Sequence, residues 1–241
     1  MRRRPLQTYQ DPWKGCALDV KVTFWGHACV EIDEAGKVLL FDPFITGNPA
    51  APQAAASVKP DFILLSHAHP DHLGDTVAMA KASGAQVLTT NEIGIMLSGQ
   101  SVNAVGMHIG GRVPFAFGEL KLVLAFHGSG IAGGQACGFI LTLGARKVYF
   151  AGDTSLYSDM KLVHDLWGPI DIAFLPIGSF YTMDADDAAV AAQWIRPKIV
   201  VPIHYNTFPA LRTDVDAFKH RVESSTSSKV VVLSPGESAD L

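Results

Sequence analysis

The 241-residue sequence has no long unbroken apolar run, no paired cysteines and no broad basic stretch. The first lack argues against a membrane-spanning helix, which needs about 20 consecutive apolar residues. Arg2, Arg3 and Arg4 open the chain, but the apolar segment of a signal peptide does not follow. Residues 1–19 therefore read as a polar N-terminal extension. Cys16, Cys29 and Cys137 are odd in number, lack disulfide-type spacing and follow no leader, so the expected compartment is a reducing cytoplasm. Basic residues elsewhere are scattered and the net charge is −4, which argues against a nucleic-acid partner.

Apolar residues make up 48% of the chain, enough for one large core, and no linker divides it. The Ala/Pro-rich stretch Gly47 to Ser57 reads as a surface loop, so residues 20–241 are expected to form one domain. Short strand-like runs open it at 20–25, 28–32 and 37–41, with a hairpin break at Glu34, Ala35 and Gly36. Strands at 61–66 and 86–90 then alternate with helical stretches at 75–83 and 91–97. Strand-rich segments return at 112–118, 120–127, 137–143 and 147–152. The last third alternates strands at 171–178, 198–204 and 229–233 with helices at 184–195 and 213–223. Asp184 and Thr213 stand where an N-cap oxygen is needed. Two blocks of mixed sheet, each followed by helices, suggest an α/β (α+β) fold of face-to-face sheets with helices outside.

Of nine histidines, three fall within "SHAHPDH" together with an aspartate. Four polar groups so close together after an apolar strand need a shared partner. Further apolar runs lead into His127, Asp153 and His204, the place where side chains converge at the carboxyl ends of strands. His67, His69, Asp71, His72, His127, Asp153 and His204 thus offer nitrogen and oxygen donors, without thiolate, to a divalent first-row ion. One four-coordinate ion cannot use all seven. Two ions sharing a carboxylate can, with positions left for water. His164 and His220, on expected helices without partners, read as structural.

"SHAHPDHLGD" resembles the H-x-H-x-D-H signature of the metallo-β-lactamase superfamily. With "VTFWGHACVEI", "LLFDPFITGNP", "MHIGG", "AFHGS", "AGDT", "FLPIG" and "VVPIHYNTFP", the chain is similar to the small metal-dependent hydrolases related to ascorbate-phosphate lactonases and to N-acylphosphatidylethanolamine phospholipase D. The resemblance implies a four-layer αββα sandwich with metals at one edge of the sheets. It implies that His67, His69 and His127 hold a first ion, that Asp71, His72 and His204 hold a second, and that Asp153 bridges them. It also implies hydrolysis of a small ester, lactone or phosphodiester by a water shared between the ions and deprotonated near neutral pH. Zn²⁺, Mn²⁺, Fe²⁺ and Ni²⁺ all suit such donors.

Asp71 is placed both to bind metal and to orient the nucleophile. His27 and His108 occupy motif positions from which they line the groove or donate to substrate; a structural role is the alternative. Tyr205 and Asn206 flank His204 and either stabilise a developing oxyanion or pack behind the ligands. Asp42 either accepts a ligand imidazole's second N–H or is simply a turn residue before Pro43. Gly47 to Ser57 is the expected movable rim. Competing readings are a nuclease or phosphodiesterase on nucleic acid and a non-catalytic metal-binding protein. A small-molecule substrate is the expected partner, and exposed apolar residues near "YTM" and "YNTFP" leave a homo-oligomer open.

Overall fold

The computed structural model describes residues 20–241; the expected N-terminal extension, with Cys16, lies outside them. The strands are β1 (Lys21–Gly26), β2 (Cys29–Glu34), β3 (Lys37–Phe41), β4 (Phe62–Leu64), β5 (Gln86–Thr90), β6 (Ala104–Met107), β7 (Arg112–Phe115), β8 (Gly118–Leu124), β9 (Cys137–Leu143), β10 (Arg146–Phe150), β11 (Ile172–Pro176), β12 (Ile199–Ile203), β13 (Lys229–Val230) and β14 (Ser238–Asp240). The helices are α1 (Pro70–Leu73), α2 (Thr76–Ser83), α3 (Asn91–Ser98), α4 (Lys161–Trp167), α5 (Ala185–Ile195) and α6 (Val215–Ser225).

The strands form two seven-stranded sheets, ordered β14-β1-β2-β3-β4-β5-β6 and β13-β12-β11-β10-β9-β8-β7. Each sheet joins an antiparallel part to a parallel part: β3 to β6 run parallel in the first and β10 to β13 in the second. Side chains alternate between faces with the period of a strand. Leu64 enters the core between the sheets while Ile63 and Leu65 pack outward against Ala80 of α2 and Ile93 and Leu97 of α3. In the second sheet Val148 and Phe150 face inward while Tyr149 and Ala151 meet α4, α5 and α6. Strands apolar on both faces are what two covered sheets require. The four layers are therefore helix, sheet, sheet, helix, as expected.

Several local expectations change. Segment 112–118 is not one strand: Phe115 pairs with Gly118, whose φ of +134° is open to glycine, and the chain reverses into β8. Pro114 is tolerated because β7 is an edge strand. The strand expected to run to His127 ends at Leu124, and that at 229–233 keeps only Lys229 and Val230 in the ladder. Asp214, not Thr213, caps α6, accepting from Ala217 N at 3.0 Å. Asp184 caps α5 as expected, accepting from Asp186 N and Asp187 N at 2.9 and 2.8 Å. Pro70 starts α1, where its missing N–H costs nothing. β6 and β14, short and without strong alternation, had no sequence expectation.

Candidate metal centre

Strand ends and turns at one edge of the sandwich place the donors. β3 ends one residue before Asp42, β4 leads into His67, β10 is followed by Ala151, Gly152 and Asp153, and β12 ends one residue before His204. His27 sits in the β1–β2 turn, and its carbonyl accepts from His204 N at 2.6 Å, tying the two sheets together at the site. His27, Asp42 and His204 have φ of +60°, +40° and +55°, a region that costs non-glycine residues energy and clusters at functional sites.

Two donor groups face each other, His67, His69 and His127 in one and Asp71, His72, His204 and His27 in the other, and a third, fully buried set of Asp42, His67 and His72 links them from behind. In the first, His67 Nε2 and His127 Nε2 lie 3.0 and 3.2 Å from His69 Nδ1. A tetrahedral ion with metal–nitrogen bonds of 2.0 Å has ligand edges of about 3.3 Å, so this spacing fits one ion. Asp153 stands between the groups, with Oδ2 3.1 Å from His204 Nε2, 3.3 Å from His72 Nε2 and 3.6 Å from His127 Nε2.

The opposite edges of two of these donor rings are already satisfied. His72 Nδ1 lies 2.8 Å from Asp42 Oδ2, and His67 Nδ1 lies 2.9 Å from Ser66 Oγ. Ser66 in turn donates to Asp42 from both its hydroxyl, at 2.6 Å, and its backbone N–H, at 2.7 Å. Both imidazoles are thereby held with Nε2 facing inward, the arrangement metal-binding histidines need. His72 Nε2, both ring nitrogens of His204 and Asp153 Oδ1 are buried without a hydrogen-bond partner. Such orphaned polar atoms are costly unless something else satisfies them. A divalent cation does so with this donor chemistry, and the residues fit it.

The comparisons with known proteins agree with this geometry. A family model described as a beta-lactamase superfamily domain matches residues 37–205. A UPF0173 metal-dependent hydrolase of Symbiobacterium thermophilum is 49% identical over 224 residues, covering 92% of this chain and 100% of that protein. The chain belongs to the UPF0173 metal-dependent hydrolases of the metallo-β-lactamase superfamily. A UPF0173 metal-dependent hydrolase of Natranaerobius thermophilus is 45% identical over 222 residues, again covering 92% of this chain and 100% of the other. Igni18, a metallo hydrolase from the archaeon Ignicoccus hospitalis, superposes with a TM-score of 0.86 at 37% identity, covering 91% of this chain and 97% of its own.

Charge in this UPF0173 site is set by burial and by the carboxylates. Burial pushes the His67 imidazole well below its ordinary pKa, with His72 adding to the effect, and burial likewise lowers His127. Burial also opposes a charge on His72, but Asp153 and Asp42 outweigh it and hold that pKa well above the ordinary value. Asp153 is kept ionised against burial by His204 and His72. Burial takes His27 down to about 4. With its Nε2 donating to Asp71 Oδ2 at 3.1 Å, its Nδ1 accepts from Thr207 Oγ1 at 3.0 Å. Burial disfavours the Asp71 carboxylate, but this hydrogen bond and the charge of His72 lower its pKa.

Other expected site residues lie elsewhere. Asn206 is exposed, and both ends of its amide are engaged by Thr213: Nδ2 donates to the carbonyl at 3.1 Å and Oδ1 accepts from N–H at 2.9 Å. That amide fastens a loop and does not face the donors. His108 is exposed in the turn after β6, outside the donor groups, and His164 and His220 lie on α4 and α6. The residues beside the donors at the cavity mouth are Phe44, Tyr181 and Phe208, not the loop from Gly47 to Ser57. Ser66 and Thr207 had no sequence expectation. Ser66 had a signal, a polar residue ending an apolar strand directly before His67; Thr207 had none.

Among the described residues no helix is long and apolar enough to cross a membrane. Cys29 and Cys137 are free and buried, and burial raises both thiols well above their ordinary pKa.

Proposed function

We propose that this metal-dependent hydrolase is dinuclear, with His67, His69 and His127 on one ion, Asp71, His72 and His204 on the other, and Asp153 shared. The observation that carries this reading is the set of buried nitrogens of His72 and His204 and the Asp153 oxygen that make no hydrogen bond, crowded together beside a second trio of imidazole nitrogens. Divalent ions held by these residues would supply a water made nucleophilic near neutral pH and would polarise the bond to be cleaved. Asp71, fixed by His27, orients that water from the more open side of the centre, its side chain being 32% exposed. Asp42 and Ser66 hold the imidazoles in the ligating tautomer. A small ester, lactone or phosphodiester is the substrate class, and zinc or manganese suits the donors. The inert buried thiols suit a cytoplasmic protein.

The test is initial hydrolysis rate on a matched ester, lactone and phosphodiester panel, metal-loaded against metal-stripped. Metal-dependent turnover is expected, and Asp153→Ala is expected to abolish it while far-UV circular dichroism stays unchanged. Full activity in Asp153→Ala would refute the assignment. Metal bound stoichiometrically without turnover of any class would favour a binding protein.

A further inference from the structure

The cavity over the candidate centre has a volume of about 500 Å³, the size that holds a small organic molecule. It has two chemically different parts. Its floor is formed by His69, Asp71, His127 and Asp153, all of them donors already described. Its walls are Phe44, Pro70, Tyr181, Phe208 and Ala210, and no Lys or Arg is among the lining residues described.

The aromatic walls are built in. Phe44 and Phe208 each meet the buried His27 ring edge-on, with centroids 5.6 Å apart in both cases, and lie 6.3 Å from one another. At the mouth, Tyr181 packs at 4.7 Å against Phe180, and the two are 57% and 73% exposed. Phe180 itself has a φ of +38°, so the turn holds this pair at the rim in a backbone conformation that large side chains rarely adopt. Large apolar residues left open to water beside a polar floor mark a surface that awaits an apolar ligand.

Recognition of a phosphate or carboxylate beyond the metals needs an Arg or Lys, or a cradle of backbone N–H groups. The described walls offer no such side chain, and an unpaired charge placed against them is disfavoured. Resting on the hydrolase reading, we infer that the substrate is an uncharged carboxylic ester or lactone with a bulky aromatic or branched alkyl group beside the scissile bond. Its reacting carbonyl lies over the donors and its apolar group against Phe44 and Phe208. Water is consumed, the acyl C–O bond breaks, and an acid and an alcohol, or one hydroxy acid, are released.

The experiment uses the full chain in two arms. Metal-loaded protein is assayed on p-nitrophenyl acetate, hexanoate and benzoate, on p-nitrophenyl hydrogen succinate, and on bis(p-nitrophenyl) phosphate. kcat/KM is expected to rise at least about tenfold from acetate to benzoate. The succinate ester and the phosphodiester are expected to be poor, and Phe208→Ala is expected to collapse the benzoate-to-acetate ratio. Ile95→Ala, exposed on α3, should not change that ratio. A flat series, or preference for the succinate ester or the phosphodiester, overturns the inference while leaving the hydrolase reading intact. The second arm follows fluorescence of the neutral probe N-phenyl-1-naphthylamine on metal-free protein and needs no turnover. Saturable binding weakened about tenfold by Phe208→Ala supports the cavity chemistry even if no substrate is cleaved. Absence of saturable binding, or binding indifferent to Phe208→Ala, overturns it.

Discussion

At the scale of single residues, the centre depends on groups that never face the substrate. Asp42 accepts from His72 and from both donors of Ser66, and Ser66 in turn holds His67, so one buried carboxylate orients a ligand of each proposed ion. Replacing Asp42 by Ala is therefore expected to weaken metal binding by about 10- to 100-fold, as loss of a partner behind a ligand typically does. Competition with a chromogenic chelator measures this directly, and affinity unchanged within about twofold would show that Asp42 only shapes a turn. Asp42 was legible in the sequence as one of two alternatives, because a carboxylate before Pro43 also suits a turn. His27 was legible as a motif position, but its grip on Asp71 and Thr207 depends on partners 44 and 180 residues away, which no local pattern encodes. Adjacency to His204 does not fix where the Asn206 amide points, and in the structure Thr213 holds it.

At the scale of elements, close backbone approach sets the donor geometry. Gly130 has a φ of +78°, and a Cβ there would lie 2.6 Å from His69 N, against the segment that carries His67 and His69. The same loop is tied to that segment by Ala68 N donating to Ser129 O at 2.8 Å. Gly130→Ala must both strain the backbone and push the loop away. It is expected to cost about 2 kcal/mol or more in urea unfolding and to weaken metal binding together. A stability change below about 0.5 kcal/mol would mean the loop adapts freely. Helices α5 and α6 and the central strands were readable because their periodicity is local, although the α6 cap falls at Asp214, one residue beyond Thr213. β6, β14 and the β7–β8 reversal were not, because edge strands gain their identity from neighbours distant in sequence and Gly118 looks like any strand residue until its φ is known.

At the scale of the whole molecule, the fold joins proton binding to metal binding. His27 is pushed down from the ordinary 6.5 to about 4, and His67 is lowered as well. The unfolded chain thus takes up their protons first, so stability present above pH 6.5 is lost as pH falls, with the loss from His27 complete near pH 4. His72 is raised, so its contribution is fully present below pH 6.5 and disappears as pH rises through its folded value. Metal-free protein is therefore expected to show a maximum in thermal stability near pH 6.5. The slopes on either side are at most about 1.4 kcal/mol per pH unit per histidine. Saturating metal replaces the His72 proton and is expected to remove the alkaline decline. A metal-free melting profile that rises steadily from pH 6 to 9 would contradict these protonation states. The family was legible from its motifs, the two-sheet sandwich from the alternation of strands and helices, and the seven proposed donors from one short motif and three further strand ends. The apolar cavity was not, because Phe44, Tyr181 and Phe208 come from three separate loops.

The most direct test of a dinuclear hydrolase is the initial hydrolysis rate of metal-free protein titrated with increments of Zn²⁺ or Mn²⁺. The expected curve rises and reaches its plateau at two equivalents per chain. A plateau at one equivalent, or a rate that never departs from the metal-free baseline, would contradict the paired-ion centre.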